Sequence, residues 1–355
     1  MIFLMSGQSR LRIGQVGIGH NHAQGKMEAL RRLEDVFEIV GVVESDAAWR
    51  RQRGGLPCYQ GLRWMDEDEL YATPGLAAVA VETDVPELVT AARRAALRGV
   101  HLHMDKPGGE SLTDFDALLE QCRARHLALQ LAYVYRYNPA IRFAIQAVKS
   151  GWLGEVFEIH AVMSRYDGDN DAYRRWLAQF RGGAMYIFAG YLVDIVLSML
   201  GPPDRTTPFL KCTRDDGLID NGLAVLEYPR ATATIRVSVE EVDGMKHRRL
   251  IVCGTRGSVE VCPLEAPADR YDTQHLFARL TLKQEAPGFG AGTHWVDCGP
   301  LGDRYAPQLL EFARIVRGEM ENPFGYDHER QVQQVLLAAS GYDPHPERGA
   351  QTPCT

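Results

Sequence analysis

The sequence predicts an α/β protein in two parts: a parallel sheet wound on both faces by helices, then an α+β part with a largely antiparallel sheet. Three observations carry this expectation. Short β-rich runs alternate with helical stretches over the first 130 residues. A glycine turn, Val16-Gly17-Ile18-Gly19, joins the first strand to the first helix. Beyond Tyr137, strand-like runs follow one another with few helices between them.

The run 11–18 reads as the first strand and 23–33 as the first helix. Residues 37–44 (FEIVGVVE) and 76–82 (LAAVAVE) are the second and third strands. A helix at 86–97 is closed by Gly99 before a fourth strand at 100–105, and a helix at 112–125 precedes a strand at 127–132. Such alternation implies a parallel sheet covered on both faces, with right-handed crossovers. The order β-α-β-α-β is the dinucleotide-binding, or Rossmann, arrangement. Asn138-Pro139 opens a helix reaching about Lys149, and a turn at 151–154 leads to strand candidates at 156–165, 222–228, 231–240, 249–254 and 257–261. Consecutive strands of this kind predict antiparallel pairing. Residues 307–318 and 328–339 read as closing helices. The expected domains are 10–134, of Rossmann type, and 135–342, of α+β type, with loose tails at 1–9 and 343–355.

A chain of 355 residues exceeds what one hydrophobic core usually supports. Its 45% hydrophobic and 24% charged residues are those of a globular protein. A net charge of -7 supplies no field for DNA or RNA, so no nucleic-acid partner is expected. Seven scattered cysteines without a CxxC pair favour reduced thiols and a cytoplasmic setting. Met1 to Met5 is too short an apolar run for a signal peptide. The run 184–200 is interrupted by Asp194 and reads as a buried core helix, with no membrane association.

Gly17, Ile18, Gly19, Asn21 and His22 form the first βα turn, with His22 in the third glycine position of G-x-G-x-x-G. Gly17 would permit the tight turn and Gly19 the approach of a pyrophosphate to the helix N-terminus. Glu44 ends the next strand and lies at about the usual separation for an acid that accepts from ribose hydroxyls. A 2′-phosphate about 4 Å away would be repelled by roughly 4 kcal/mol per unit charge at an effective dielectric near 20, so NAD is expected over NADP. Arg50, Arg51 and Arg53 could favour a phosphate, but read as a solvated helix face. Thr83 and Asp105, at the ends of two further strands, complete the expected cofactor set with Lys106.

Two H-x-H pairs, His20/His22 and His101/His103, could each aim two imidazoles at one metal. No third and fourth ligand follow at metal spacing, so a metal hydrolase is the weaker reading and no metal is expected. Lys106 follows the buried run 100–104 at the carboxyl edge of the sheet, where ligands bind in open α/β folds. The segment 184–200 has helical period, with Met185, Phe188, Leu192, Ile195 and Met199 as a core stripe. Ile187, Tyr191, Asp194 and Ser198 share another face.

These residues together resemble the Gfo/Idh/MocA oxidoreductases, over nearly the whole chain. The resemblance rests on the Gly17-x-Gly19 turn and on Asp105-Lys106-Pro107, where the family usually has Glu-Lys-Pro. Arg136-Tyr137-Asn138-Pro139-Ala140, Ser150-Gly151-Trp152-Leu153-Gly154-Glu155-Val156 and Cys253-Gly254-Thr255-Arg256-Gly257-Ser258 are similar to further family stretches in the same order. It implies a Rossmann domain, a second domain with an open, largely antiparallel sheet, NAD(P)-linked chemistry on a sugar, cyclitol or related alcohol, and a homodimer or homotetramer packed through the C-terminal sheet. The family's helix pattern is G-G-G-x-x-x-D-x-G-x-H-x-x-D. Here Ile187 stands at the first aspartate, Ala189 at a glycine and Tyr191 at the histidine, while Asp194 keeps the last aspartate. Some members use tyrosine at the histidine position.

The expected reaction is hydride exchange between nicotinamide C4 and a secondary carbinol carbon. Lys106 would hold the hydroxyl and Tyr191 would move its proton. Free tyrosine titrates near 10, and a nearby ammonium would lower that. Arg136, Asn138, Tyr166, Trp176 and Asp194 are candidates to line the substrate site. The rival readings are a redox-assisted lyase, epimerase or glycosidase that retains its NAD, and a non-catalytic NAD-binding sensor.

Overall fold

A computed structural model describes residues 9–342, so of the tails expected at 1–9 and 343–355 only Ser9 falls among the described residues. The chain divides into two compact units: residues up to Ala132 with Tyr305–Arg330, and Tyr133–Arg304 with the residues from Gln331 onward.

The first unit runs β1 (Leu11–Val16), α1 (Ala23–Arg32), β2 (Phe37–Val43), α2 (Ala47–Arg53), β3 (Trp64–Met65), α3 (Glu67–Tyr71), β4 (Ala78–Val81), α4 (Leu88–Leu97), β5 (His101–Met104), α5 (Leu112–Ala124) and β6 (Leu129–Leu131). The sheet order is β3-β2-β1-β4-β5-β6, and every neighbouring pair is parallel. A sheet with helices on both faces needs strands that are apolar on both sides. β4 meets that demand, with Ala78, Val79, Ala80 and Val81 all fully buried. Side-chain caps start the short helices. Asp46 accepts from the amides of Ala48 and Trp49, and Asp66 forms a capping box with Glu69. The strand order reverses between β1 and β4, which leaves a crevice at their carboxyl ends.

The second unit contains α6 (Pro139–Lys149), β7 (Val156–Ser164), α7 (Asp171–Leu177), α8 (Gly183–Leu200), β8 (Arg205–Lys211), β9 (Asn221–Glu227), β10 (Thr232–Ser238), β11 (Arg249–Gly254), β12 (Gly257–Val261), β13 (His275–Leu282) and β14 (Gly292–Pro300). Its sheet has the order β14-β13-β12-β11-β7-β10-β9-β8 and is antiparallel throughout except at β7 and β10. α8 packs on β7, β9 and β10, and α6 on β12, β13 and β14. The single core stripe expected on α8 is a correction. Every residue from Gly183 to Leu197 is buried, because the helix is enclosed on all sides rather than laid on a surface. It has the length and composition of a membrane span, yet 83% of that stretch is inside the protein.

Two helices follow, α9 (Ala306–Val316) and α10 (Tyr326–Ala339). α9 brings Leu309, Phe312 and Ala313 into the first unit's core beside Leu11, Ile13, Leu30 and Phe37. Among the described residues, Cys58, Cys122, Cys253, Cys262 and Cys298 are free thiols.

Candidate functional site

The glycine turn between β1 and α1 is tight for a stated reason. Gly17 has φ +87, and a Cβ there would lie 2.4 Å from the Thr83 amide nitrogen and 2.5 Å from its Cα. At Gly19 a Cβ would come within 2.8 Å of the Asp84 amide nitrogen and 2.9 Å of the Trp49 Nε1. Only glycine allows the β4 end and the α2 indole to approach so closely. Glu44 clamps the turn: its Oε2 accepts from the Ile18 amide at 2.8 Å and its Oε1 from the Asp46 amide at 2.8 Å. Thr83 Oγ1 is buried and has no hydrogen-bond partner among the described residues.

Arg53 does not lie on a solvated face, as the sequence suggested. Its Nη1 donates to the carbonyls of Ile18, Gly19 and His20 at 3.1, 2.9 and 2.7 Å. Its Nη2 reaches Asn21 Oδ1 at 3.5 Å, and its guanidinium lies over the Trp49 ring. Arg50 covers the Trp64 ring instead, while Arg51 is exposed. Periodicity could not reveal this, because the partners are backbone carbonyls of another loop.

Beside the turn lies a buried polar cluster that joins segments far apart in sequence. His22 Nδ1 stands 3.1 Å from each Asp105 oxygen. His20 Nδ1 is 3.4 Å from Asp105 Oδ2 and 3.9 Å from Glu82 Oε2, and accepts from the His22 amide at 3.2 Å. The Lys26 ammonium is 3.6 Å from Glu82, 4.0 Å from Asp105 and 3.3 Å from His103 Nδ1. Burial pushes the His20 pKa down to about 3, and the neighbouring cations add to this against the pull of Asp105. Burial and the Asp105 charge hold the Glu82 carboxyl well above its usual range. Burial also opposes charge on Asp105, but the two imidazoles and Lys26 outweigh it and keep that group ionised. Lys106 is buried next to it, its amide donating to Asp105 Oδ1 at 2.8 Å. The two members of the other H-x-H pair have separate partners. His101 Nδ1 accepts from the Ala128 amide at 2.8 Å, and the His103 ring meets Phe312 edge-on. Lys26 and Glu82 were missed in the sequence; the one available signal was a glutamate ending an otherwise apolar strand.

In the second unit, α8 presents Tyr191 buried between two aromatic rings, with centroids 5.9 Å from Tyr133 and 5.3 Å from Tyr135. One turn on, Asp194 meets Arg136: Nη2 lies 2.7 Å from Oδ1, and Nε lies 3.1 Å from each oxygen. Both side chains are almost fully buried. Asn138 caps α6, accepting from Ala140 and Ile141 and donating to the Leu264 carbonyl at 2.7 Å. Tyr166 is exposed, its hydroxyl donating to Asp169, and Trp176 stacks on Tyr173. The structure therefore engages Arg136, Asp194 and Asn138 in internal contacts, and sets Tyr191 among tyrosines the sequence reading did not single out.

Tyr135 connects this site to a second buried network. Its hydroxyl donates to Glu265 at 2.7 Å, and Glu265 also receives Arg248, Arg304 and Tyr271 at 2.6, 2.8 and 2.6 Å. A small cleft is lined by Tyr135, Tyr137, Glu265, Asp303 and Arg304. Burial disfavours the Glu265 charge, but the two guanidiniums dominate and lower its pKa. The lowered value means its stabilisation is complete above the unfolded glutamate pKa of about 4.3 and is lost as pH falls through the folded value. Glu265→Gln should cost about 3 kcal/mol at pH 7, because Arg248 stays buried without its counter-charge. Urea unfolding at pH 7 and pH 4 measures this, with the gap between variant and wild type closing in acid.

Residues 141–260 match the GFO/IDH/MocA C-terminal domain. Over 174 residues the chain is 31% identical to a Haloferax volcanii protein named D-xylose 1-dehydrogenase (NADP(+)) 2, covering 48% of this chain and 52% of that protein. It thus spans about half the length of that relative. It is 22% identical to the uncharacterized oxidoreductase YhhX of Escherichia coli, over 78% of this chain and 76% of that one. In fold it is similar to an Agrobacterium radiobacter oxidoreductase solved with NAD+, L-tartaric acid and magnesium, at a TM-score of 0.78 and 17% identity, over 94% of this chain and 96% of that one. Residues 141–260 thus match the C-terminal domain of the Gfo/Idh/MocA family, and the proteins this chain is similar to are named as oxidoreductases and dehydrogenases.

Proposed function

We propose that this chain is a nicotinamide-dependent oxidoreductase that transfers a hydride to or from a carbon bearing a secondary hydroxyl, in a sugar, cyclitol or sugar derivative. The observation that carries this is the cradle at Gly17, where added side-chain volume would collide with the Thr83 backbone and where Glu44 already grips the turn. That cradle fits a dinucleotide: the Thr83 hydroxyl has no hydrogen-bond partner among the described residues, and the N-cap of α1, His22, makes no side-chain capping bond. When bound, the nicotinamide supplies or accepts the hydride at C4. Gly17, Ile18, Gly19, Asn21 and His22 line the pyrophosphate, with Thr83 and Asp105 beside them. Glu44 accepts from the ribose hydroxyls. Lys106 holds the reacting hydroxyl, and Tyr191 takes or returns its proton. Arg136, Asn138, Tyr166, Trp176 and Asp194 belong to the substrate side of the assignment; the contacts above make Arg136, Asn138 and Asp194 supports for it.

NAD is the favoured cofactor. The Glu44 carboxylate would repel a 2′-phosphate, while Arg53 is tied to loop carbonyls and Arg50 lies over the Trp64 ring. The Haloferax relative is named for NADP(+) and the Agrobacterium structure holds NAD+, so the family likeness does not decide. Titrating NADH and NADPH by fluorescence tests the assignment. NADH should bind more tightly, and Glu44→Ala should weaken it about tenfold or more, the loss of one or two charge-assisted hydrogen bonds. Tighter binding of NADPH by the wild type overturns the NAD assignment, and binding of neither overturns the whole proposal. A sugar and cyclitol panel, followed by NADH absorbance and by product mass, separates net oxidation from a redox-assisted lyase and from a sensor. The exposed Phe209, Phe277 and Trp295 of the second sheet suit self-association as a dimer or tetramer, which light scattering reads directly.

A further inference from the structure

The cluster beside the glycine turn shares His22 and Asp105 with the proposed dinucleotide set and adds His20 and Glu82 to them. Among the described residues, His20, His22 and Asp105 can each offer one ligand atom with all three within 4.8 Å of one another. Two of these separations are 3.4 Å, from His20 Nδ1 to Asp105, and 3.1 Å, from His22 Nδ1 to Asp105. Ligand atoms held about 2.1 Å from a tetrahedral zinc stand roughly 3.4 Å apart, so the spacing suits a shell once His20 Nδ1 releases the His22 amide that now donates to it. The donors sit on firm supports. Asp105 follows a strand paired on both sides, and its backbone amide donates to the Val81 carbonyl at 3.0 Å. The His20 amide donates to the Glu82 carbonyl at 3.0 Å.

A second, separate observation points to a missing ligand. Glu82 is fully buried, yet neither carboxyl oxygen makes a hydrogen bond among the described residues. A buried polar group left this way commonly marks an ion or water not yet accounted for. One of its oxygens lies 3.9 Å from His20 Nδ1, on the same cluster. Lys26 faces that cluster too, but its ammonium approaches Glu82 more closely than Asp105, at 3.6 against 4.0 Å. The lysine charge is thus set towards Glu82, which leaves Asp105 between the two imidazoles.

We propose that His20, His22 and Asp105, with Glu82 able to complete the shell, bind one divalent transition metal ion of zinc type. Two imidazoles with carboxylate favour zinc or cobalt, whereas magnesium and calcium prefer all-oxygen shells. His22 and Asp105 also belong to the proposed dinucleotide set, so the metal is tested without dinucleotide, where failure of the nicotinamide reading leaves the result unchanged. The full chain is stripped with EDTA, dialysed against zinc chloride and analysed for bound metal, with cobalt chloride as a spectroscopic probe. The expected result is one zinc per chain, a higher thermal midpoint with zinc but not magnesium, and a cobalt spectrum of four-coordinate intensity. His22→Ala, at the most exposed of the three ligands, should lower zinc affinity at least tenfold. Asp105→Asn, which keeps the shape of the carboxylate, should do the same. Absence of stoichiometric zinc in the wild type overturns the proposal, as does unchanged affinity in both variants, which would place any bound zinc elsewhere.

Discussion

Tyr191→Phe is expected to lower kcat by about 10²- to 10⁴-fold, the range associated with losing a positioned acid–base group. NADH affinity should stay within about twofold, since one phenol hydroxyl far from the glycine turn in sequence is all that changes. The ring contacts with Tyr133 and Tyr135 are made by the aromatic body, so phenylalanine keeps them and the fold should be preserved. That separation makes the measurement clean. Steady-state kinetics on whichever panel compound is turned over, with NADH titration and a melting curve on the same sample, gives all three readouts. Undiminished turnover would remove Tyr191 from the chemistry. Lys106→Met should act in parallel, and the double variant should lose much less than the product of the two single losses if both groups serve one hydroxyl.

The second large effect concerns stability. Asp194→Ala should destabilise the protein by about 3–5 kcal/mol, because it removes the carboxylate that meets Arg136 twice over inside the core. The guanidinium, about 1% exposed, would lose that counter-charge without gaining water. Denaturant unfolding measures it, and a loss under 1 kcal/mol would mean that the pair is much less valuable than its burial implies. Activity would fall with the folded fraction, unlike in Tyr191→Phe, where the folded fraction holds. The contrast distinguishes a residue that reacts from one that supports α8.

Much of the first unit was legible because its central strands are short, mostly buried runs ended by a charged or turn residue. β4 and β5, ending at Val81 and Met104, are followed by Glu82 and Asp105. The two-residue β3 was not legible, since so short a pairing leaves no periodic signal. β8 was hidden by Pro208 in its middle, tolerated because β8 is the edge of its sheet. β13 alternates cleanly in burial, but Phe277 and Arg279 on its outer face blur the pattern between two loops. The faces of α8 were misread because a helix enclosed on every side carries no polar stripe to orient it.

The glycine turn and Glu44 were readable as local motifs. The polar cluster was only half readable. Spacing pairs His20 with His22, but Asp105 lies 83 residues beyond His22, and only the parallel sheet brings its strand end to the turn. Arg53 was read from its helix, whereas its partners belong to a loop 33 to 35 residues earlier. Contacts of this kind follow from topology and leave no mark in local composition.

The placement of α9 carries a consequence for synthesis. The nucleotide-fold layer holds Leu309, Phe312 and Ala313 in the same packed group as Leu11, Ile13 and Phe37. A nascent chain therefore cannot finish its first layer when that segment leaves the ribosome. The early strands must wait, with part of their apolar face open, until the segment about 300 residues later that carries Leu309, Phe312 and Ala313 has been made.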